Sequence, residues 1–124
     1  MFVLEDDLPT LDLLCGIAED AGWRPRGFSR LRELRAALTR ERPHLMILDD
    51  SVPDGSGGDL ARELREDPST EQVPVLVCTA AHPMRRAEIG GWAPVVPKPF
   101  KLEQIETFLH TIARRRDRFH RAAG

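Results

Sequence analysis

Two clusters of acidic residues each follow a short apolar segment. The first segment covers residues 2–4 and the second covers residues 45–48. If both segments are neighbouring parallel strands, their carboxyl ends bring the acidic side chains into one crevice. Two unit charges about 4–5 Å apart repel by roughly 3–4 kcal/mol at an effective dielectric of ~20, so a cation is needed, and a few oxygen ligands suit Mg²⁺. The acidic residues are Glu5, Asp6, Asp7, Asp49 and Asp50.

A hydroxyl group and an ammonium group follow two further apolar segments. Thr79 comes after residues 74–78, and Lys98 comes shortly after residues 94–96. Beside the carboxylates they would complete a pocket for a phosphoryl group, in which Thr79 donates a hydrogen bond and Lys98 neutralises negative oxygens. Phosphoryl transfer depends mainly on positioning and charge stabilisation, and a carboxylate can act as the nucleophile and become an aspartyl phosphate.

The elements that must position these groups alternate along the chain. Five strand-helix units in series predict a three-layer, doubly wound α/β fold with a five-stranded parallel sheet. Pro25, Pro94 and Pro97 mark the second and fifth strands as edges, which favours the order 2-1-3-4-5. Asp7 is expected to cap the first helix and Ser29 the second. The predicted strands are 2–4, 23–27, 45–48, 74–78 and 94–96, and the predicted helices are 8–21, 30–41, 58–66, 83–89 and 102 onward.

The composition is that of one globular domain. The chain has 124 residues, of which 41% are hydrophobic and 31% charged. Its 18 basic and 20 acidic residues give a net charge of −2, which argues against nucleic acid as the main partner. No apolar run could span a membrane and no secretory signal is evident, so a cytoplasmic location is expected. A basic segment at about 114–124 is interpreted as a C-terminal helix extension, with a docking tail as the alternative.

The sequence resembles the receiver domain of two-component response regulators, of the single-domain, chemotaxis-regulator-like type, over essentially its whole length of 1–124. The resemblance implies a flavodoxin-like fold. As phosphoacceptor, Asp50 would break the offsets to Pro53 and Gly57, so Asp49 is favoured. Asp6-Asp7 is the alternative acidic pair, and the separation from Asp49 favours Glu5-Asp6. The motifs that carry the resemblance are Glu5-Asp6, Asp49 with Pro53 and Gly57, Thr79-Ala80 and Lys98-Pro99-Phe100.

The resemblance implies a role for each of these residues. Asp49 would accept a phosphoryl group from the phosphohistidine of a sensor histidine kinase or a phosphotransfer protein, in a reaction that depends on Mg²⁺. Thr79 and Lys98 would hold the phosphoryl oxygens, and the bond between Lys98 and Pro99 is expected to be cis. The implied Mg²⁺ ligands are Glu5, Asp6, Asp49 and the main-chain carbonyl of Ser51.

The resemblance also implies a signal that is read by another protein. The expected output face is formed by the fourth helix, the fifth strand and the fifth helix, and it could join an unknown downstream protein or a second copy of the chain. Val95 stands where many members of the family carry Tyr or Phe, three residues before Lys98. The segment between Thr79 and Lys98 also looks about three residues short, so an abbreviated fourth helix and an unusual output face are expected.

Three other functions are compatible with parts of this pattern. A pseudo-receiver scaffold, which binds partners without phosphorylation, is the main alternative. An aspartate-nucleophile phosphatase needs a second Asp two residues after the nucleophile, where this chain has Ser51. The chain is therefore not expected to be an enzyme beyond its own phosphoryl transfer and autodephosphorylation. A flavodoxin is disfavoured because acidic residues stand where a phosphate-binding loop is required.

Overall fold

A computed structural model describes the backbone of residues 1–123 and the side chains of residues 1–117. Five short strands alternate with five helices, as the sequence predicts. The strands are β1 (Phe2–Leu4), β2 (Arg26–Phe28), β3 (Met46–Asp49), β4 (Val75–Thr79) and β5 (Val95–Pro97). The helices are α1 (Leu8–Asp20), α2 (Leu31–Leu38), α3 (Gly57–Glu66), α4 (Pro83–Ile89) and α5 (Leu102–Ala123).

The strands form one parallel sheet in the order β2-β1-β3-β4-β5, which confirms the predicted topology. Helices cover both faces of the sheet, and each face has its own apolar core. One core joins α2, α3 and α4 to the sheet, and the other joins α1 and α5 to it. Because β1 and β3 are buried on both faces, they are apolar except for Asp49, the last residue of β3, and the other acidic residues follow where the sheet ends.

The second strand lies further along the chain than predicted. The sequence predicts it over residues 23–27, whereas the structure has it at Arg26–Phe28. Pro25 has no N–H to donate, so the ladder begins when the N–H of Arg26 donates to the Met1 carbonyl at 2.8 Å. The ring of Phe28 then packs edge-on against Phe2 at a centroid distance of 5.1 Å, and this contact fixes the register of the edge strand.

The caps of the first two helices differ in origin. Asp7 caps α1 as predicted, since its carboxylate accepts a hydrogen bond from a backbone N–H of the first turn. Ser29 does not cap α2, and that prediction is wrong. The carboxylate of Asp54, from the loop after β3, accepts from the N–H groups of Leu31 at 2.8 Å and Arg32 at 3.0 Å. Helix α2 is therefore held by the loop that follows the candidate phosphoacceptor.

Two adjacent glycines allow α3 to begin close to the end of β3. A Cβ atom at Gly57 would lie 2.1 Å from the carbonyl oxygen of Asp49. A Cβ atom at Gly58 would lie 2.5 Å from an Asp50 carboxylate oxygen and 2.8 Å from the side chain of Ile89. Both positions therefore require glycine, and the close approach fixes the start of α3 beside the site.

The last helix includes residues 114–123 of the basic segment. Helix α5 continues to Ala123, and the guanidinium of Arg116 lies 5.5 Å from the ring centre of Trp23. The side chains from residue 118 onward, and residue 124 itself, lie outside the described residues. Across the described part of the chain, no helix is both long and apolar enough to cross a membrane.

Candidate functional site

Three carboxylates meet at the carboxyl ends of β1 and β3. Leu4 of β1 is paired with Leu48 of β3, so the acidic residues that follow the two strands lie at the same edge of the sheet. One carboxylate oxygen from each of Glu5, Asp6 and Asp49 lies within 4.8 Å of the other two. Glu5 and Asp49 are buried and Asp6 is exposed, so the cluster opens to solvent on the side of Asp6.

Lys98 lies beside two of these carboxylates. Its Nζ donates to both oxygens of Glu5, at 2.8 and 2.9 Å, and lies 3.5 Å from Oδ2 of Asp49. The backbone N–H of Lys98 donates to the carbonyl of Thr79 at 2.8 Å, and the bond between Lys98 and Pro99 is cis, as predicted. The end of β4 therefore fixes the ammonium group over the carboxylate cluster.

Thr79 lies at the same edge of the sheet, as the last residue of β4. Asp49 is paired with Cys78, so Thr79 lies one residue further along the neighbouring strand. Its side chain is buried, and Oγ1 accepts a hydrogen bond from the N–H of Ala81 at 3.0 Å. The hydroxyl proton is still available as a donor, because accepting this bond uses only an oxygen lone pair.

The loop after β3 supplies a backbone donor to the Asp49 carboxylate. The N–H of Ser51 donates to Oδ1 of Asp49 at 3.4 Å. Oδ1 of Asp49 is thus held by a backbone donor, while Oδ2 lies beside the ammonium of Lys98. The Ser51 carbonyl, which the family resemblance implies as an Mg²⁺ ligand, belongs to this loop.

The donor set and its charge fit Mg²⁺. The cluster offers carboxylate oxygens alone, which are the ligands that this hard cation prefers. When ionised, three carboxylates carry three negative charges, and the ammonium of Lys98 cancels one of them. The remaining charge of −2 is complementary to a divalent cation. Glu5, Asp6 and Asp49 could therefore hold Mg²⁺, with water completing its coordination.

The electrostatics of the cluster are visible in the pKa of Glu5. Burial raises this pKa to about 7, and the neighbouring Asp49 carboxylate adds to the rise, while Lys98 opposes it. For Lys98, burial works to lower the pKa of the ammonium, but contact with Glu5 and Asp49 outweighs burial and raises it. Lys98 is thus a cation, and Glu5 gains or loses a proton near neutral pH.

We expect the metal-free protein to lose stability as the pH rises. The folded state keeps a proton on Glu5 up to a pH of about 7, whereas the unfolded chain releases it near 4.5. The stabilising contribution is therefore complete below 4.5 and is lost as the pH passes about 7. The loss is at most about 3 kcal/mol, since one pKa unit corresponds to about 1.4 kcal/mol.

Urea unfolding in EDTA, at intervals between about pH 5 and pH 8, measures this loss. Glu5→Gln is the control, because an amide does not titrate. In this variant the free energy of unfolding should decline less steeply with pH than in the wild type. A wild-type free energy of unfolding that stays constant or increases over this range would contradict the expectation.

Asp50, the alternative acceptor, lies outside the carboxylate cluster. Its carboxylate accepts hydrogen bonds from Ser56 Oγ at 2.6 Å, from the N–H of Gly58 at 3.2 Å and from the guanidinium of Arg85. Asp49 is therefore the carboxylate beside Lys98. The contact with Arg85 was missed from the sequence, because nothing in the sequence shows which side of α4 faces Asp50.

The family known as the response regulator receiver domain matches residues 1–110. The chain belongs to this family. The receiver motifs lie where the sequence placed them, at the carboxyl ends of the parallel strands. Helix α4 has seven residues and the bounds that the sequence predicts, and Val95 is half-buried against the core beneath α2, α3 and α4.

Curated relatives of this receiver are transcriptional regulators. The phosphate regulon transcriptional regulatory protein PhoB of Pseudomonas aeruginosa is 25% identical over 119 residues, which cover 93% of this chain and 52% of that protein. PhoB of Escherichia coli is 26% identical over 119 residues, with the same coverage of 93% and 52%. The chain thus spans about half the length of these relatives.

Solved receiver structures share the fold at low identity. The receiver domain of a DNA-binding response regulator from Colwellia psychrerythraea superposes with a TM-score of 0.83 at 17% identity, covering 91% of this chain and 96% of that one. The beryllofluoride-activated NtrC4 receiver domain, a dimer, gives a TM-score of 0.80 at 21% identity, covering 90% and 93%. At this identity the likeness is one of fold.

Proposed function

We propose that this receiver accepts a phosphoryl group on Asp49 from the phosphohistidine of a sensor histidine kinase or phosphotransfer protein. Phosphorylation then controls its binding to another protein. The observation that carries the proposal is the meeting of Glu5, Asp6 and Asp49 within 4.8 Å, with Lys98 Nζ 3.5 Å from Asp49. In this proposal the chain is not an enzyme for other substrates, and its location is cytoplasmic. That the chain works as a stand-alone response regulator, without a fused output domain, stays a prediction.

The contacts of Asp49 hold its carboxylate in place for attack on a phosphoryl group. Oδ1 of Asp49 is held by the Ser51 N–H, while Oδ2 lies beside Lys98. In the reaction an Asp49 oxygen forms a bond to phosphorus, the bond from phosphorus to the histidine nitrogen breaks, and the electron pair leaves with the imidazole. The product is a mixed acyl phosphate on Asp49.

The remaining residues neutralise and orient the phosphoryl oxygens. Glu5, Asp6, Asp49 and the carbonyl of Ser51 would hold Mg²⁺, which supplies positive charge to the transferring group. Lys98, which directly follows β5, supplies the second positive charge. The Thr79 hydroxyl donates a hydrogen bond to a phosphoryl oxygen once its side chain turns toward Asp49. Such preorganised donors contribute most where charge develops in the transition state.

The output of the proposal is a protein–protein contact at the face formed by α4, β5 and α5. The neighbour NtrC4 is a dimer when beryllofluoride activates it, and a homodimer through this face is one form of the proposed output. A sensor kinase or phosphotransfer protein is the upstream partner. The scaffold alternative is favoured by Val95 and the short α4, because both alter the face that would report phosphorylation.

The proposal is tested by incubating the chain with acetyl phosphate and Mg²⁺. We expect a mass gain of one phosphoryl group, which disappears when EDTA replaces Mg²⁺. Beryllofluoride, which mimics the phosphoryl group on an aspartate, should raise the melting temperature only in the presence of Mg²⁺. Absence of both effects would favour the scaffold that binds its partners without phosphorylation.

A further inference from the structure

The side chain of Arg85 joins α4 to the phosphoacceptor end of β3. Its Nε lies 3.3 Å from Oδ2 of Asp50, and its Nη2 lies 3.1 Å from Oδ1 of the same carboxylate. Nη2 also lies 3.1 Å from Oγ of Ser56 and 2.8 Å from Oδ1 of Asp59. We call this group, Arg85 with Asp50, Ser56 and Asp59, the Arg85 clamp.

The clamp differs from the surface ion pairs of the chain. The Asp50 side chain is 10% exposed and that of Arg85 is 25% exposed, whereas the pair of Arg35 and Glu63 is 46% and 57% exposed. A two-pronged guanidinium–carboxylate contact with little solvent is stronger than an exposed pair. Removing the guanidinium leaves the largely buried Asp50 carboxylate with neutral donors only, from Ser56 and Gly58, and without a countercharge. The contact between Arg85 and Asp50 therefore restrains both residues.

Helix α4 contacts α3 near both of its ends. Its seven residues are all described, and Ile89 is the one among them that is fully buried. Ile89 packs closely over Gly58 at the start of α3. The helix is thus attached to α3 by Ile89 at its carboxyl end and by Arg85 near its amino end. Without Arg85, the amino-terminal half of α4 loses its contact with Asp50.

The clamp is also connected to Thr79 through a short segment. Oγ1 of Thr79 accepts from the N–H of Ala81, and Nδ1 of His82 accepts from a backbone N–H at the start of α4. Arg85 is the third residue of that helix. When Thr79 turns toward a group bound at Asp49, its hydrogen bond with the Ala81 N–H must break or Ala81 must move with it. The segment from Ala81 leads directly into α4, where Arg85 is held by the clamp.

We propose that Arg85 is a positioning residue that holds α4 through Asp50 in the unphosphorylated arrangement, so that the clamp and phosphorylation of Asp49 oppose each other. The inference rests on the proposed function. By thermodynamic linkage the opposition is reciprocal: a broken clamp eases phosphorylation, and phosphorylation weakens the clamp.

The test is the affinity of the full chain for beryllofluoride in Mg²⁺, followed by tryptophan fluorescence. We expect Arg85→Gln and Asp50→Asn each to tighten binding at least about fivefold, the lower end of typical coupling between sites. The double variant should bind no more tightly than the better single variant, because both substitutions break the same contact. Arg85→Lys keeps the positive charge but cannot make the two-pronged contact, so its affinity for beryllofluoride should lie between those of the wild type and Arg85→Gln.

The direction of the two single effects separates the clamp from a simple charge effect. If charge alone acted, loss of the cation in Arg85→Gln would weaken binding of the anion, and loss of the anion in Asp50→Asn would tighten it. If the clamp opposes phosphorylation, both variants must bind beryllofluoride more tightly than the wild type. Arg35→Gln is the matched control, because it makes the same substitution in the exposed pair with Glu63 and should leave the affinity unchanged.

Hydrogen exchange of the α4 amides gives a second measurement. We expect faster exchange in Arg85→Gln than in the wild type, and faster exchange in the wild type once beryllofluoride is bound. An unchanged or weaker beryllofluoride affinity in Arg85→Gln would overturn the clamp, even if the variant melts at a lower temperature. If the wild type binds no beryllofluoride, the proposed function and the clamp both fail; if the wild type binds and the variants match it, only the clamp fails.

Discussion

Replacing Asp49 with Asn is expected to abolish phosphorylation by acetyl phosphate. The amide has no anionic oxygen to attack phosphorus, and it also removes one carboxylate from the cluster with Glu5 and Asp6. We therefore expect the mass gain to fall to background in Asp49→Asn. Intact-mass spectrometry of the protein incubated with acetyl phosphate and Mg²⁺ measures this directly.

Asp50→Asn is the matched control for this experiment. It makes the same substitution one residue further along, at a carboxylate that bonds to Ser56, Gly58 and Arg85 and lies outside the cluster. The control should still gain one phosphoryl group. A modification that persists in Asp49→Asn and is lost in Asp50→Asn would move the acceptor to Asp50.

Replacing Lys98 with Gln is expected to slow phosphorylation by roughly 10²–10³-fold, the usual cost of removing one preorganised group that stabilises developing charge. The ammonium lies 2.8 Å from a Glu5 oxygen and 3.5 Å from an Asp49 oxygen, so its loss leaves two buried carboxylates facing each other. The rate of mass gain under saturating Mg²⁺ measures the effect. Lys98→Arg should not restore the rate, because a planar guanidinium does not replace a compact point charge.

The control for this substitution is Lys101→Gln. All but two of the 18 basic residues are arginine, and Lys101 is the other lysine. Its side chain is exposed, so the same substitution there should leave the rate within about twofold of wild type. Equal rates for Lys98→Gln and the wild type would remove Lys98 from the proposed mechanism.

Much of the fold could be predicted because its signals are local. The central strands are short apolar runs buried on both faces, and Pro25 marks the edge strand β2. The boundaries were less predictable. Strand β2 starts at Arg26 because its N–H reaches Met1, and the cap of α2 comes from Asp54, a residue more than twenty positions away. Such contacts join distant segments and leave no periodic pattern in the sequence.

The sequence by itself determined which groups could meet at the site. Each of these groups lies at or just after the carboxyl end of a strand, and the carboxyl ends of parallel strands share one edge of the sheet. They are Glu5, Asp6, Asp49, Thr79 and Lys98. Only the tertiary structure decided what each group touches: that Lys98 lies against Glu5, that Thr79 is held by Ala81, and that Asp50 is bound by Arg85. The physical reason is that local apolar patterning predicts the strands and prolines mark the edge strands, whereas the rotation and distance of α4 depend on how Ile89 and Arg85 fit against α3.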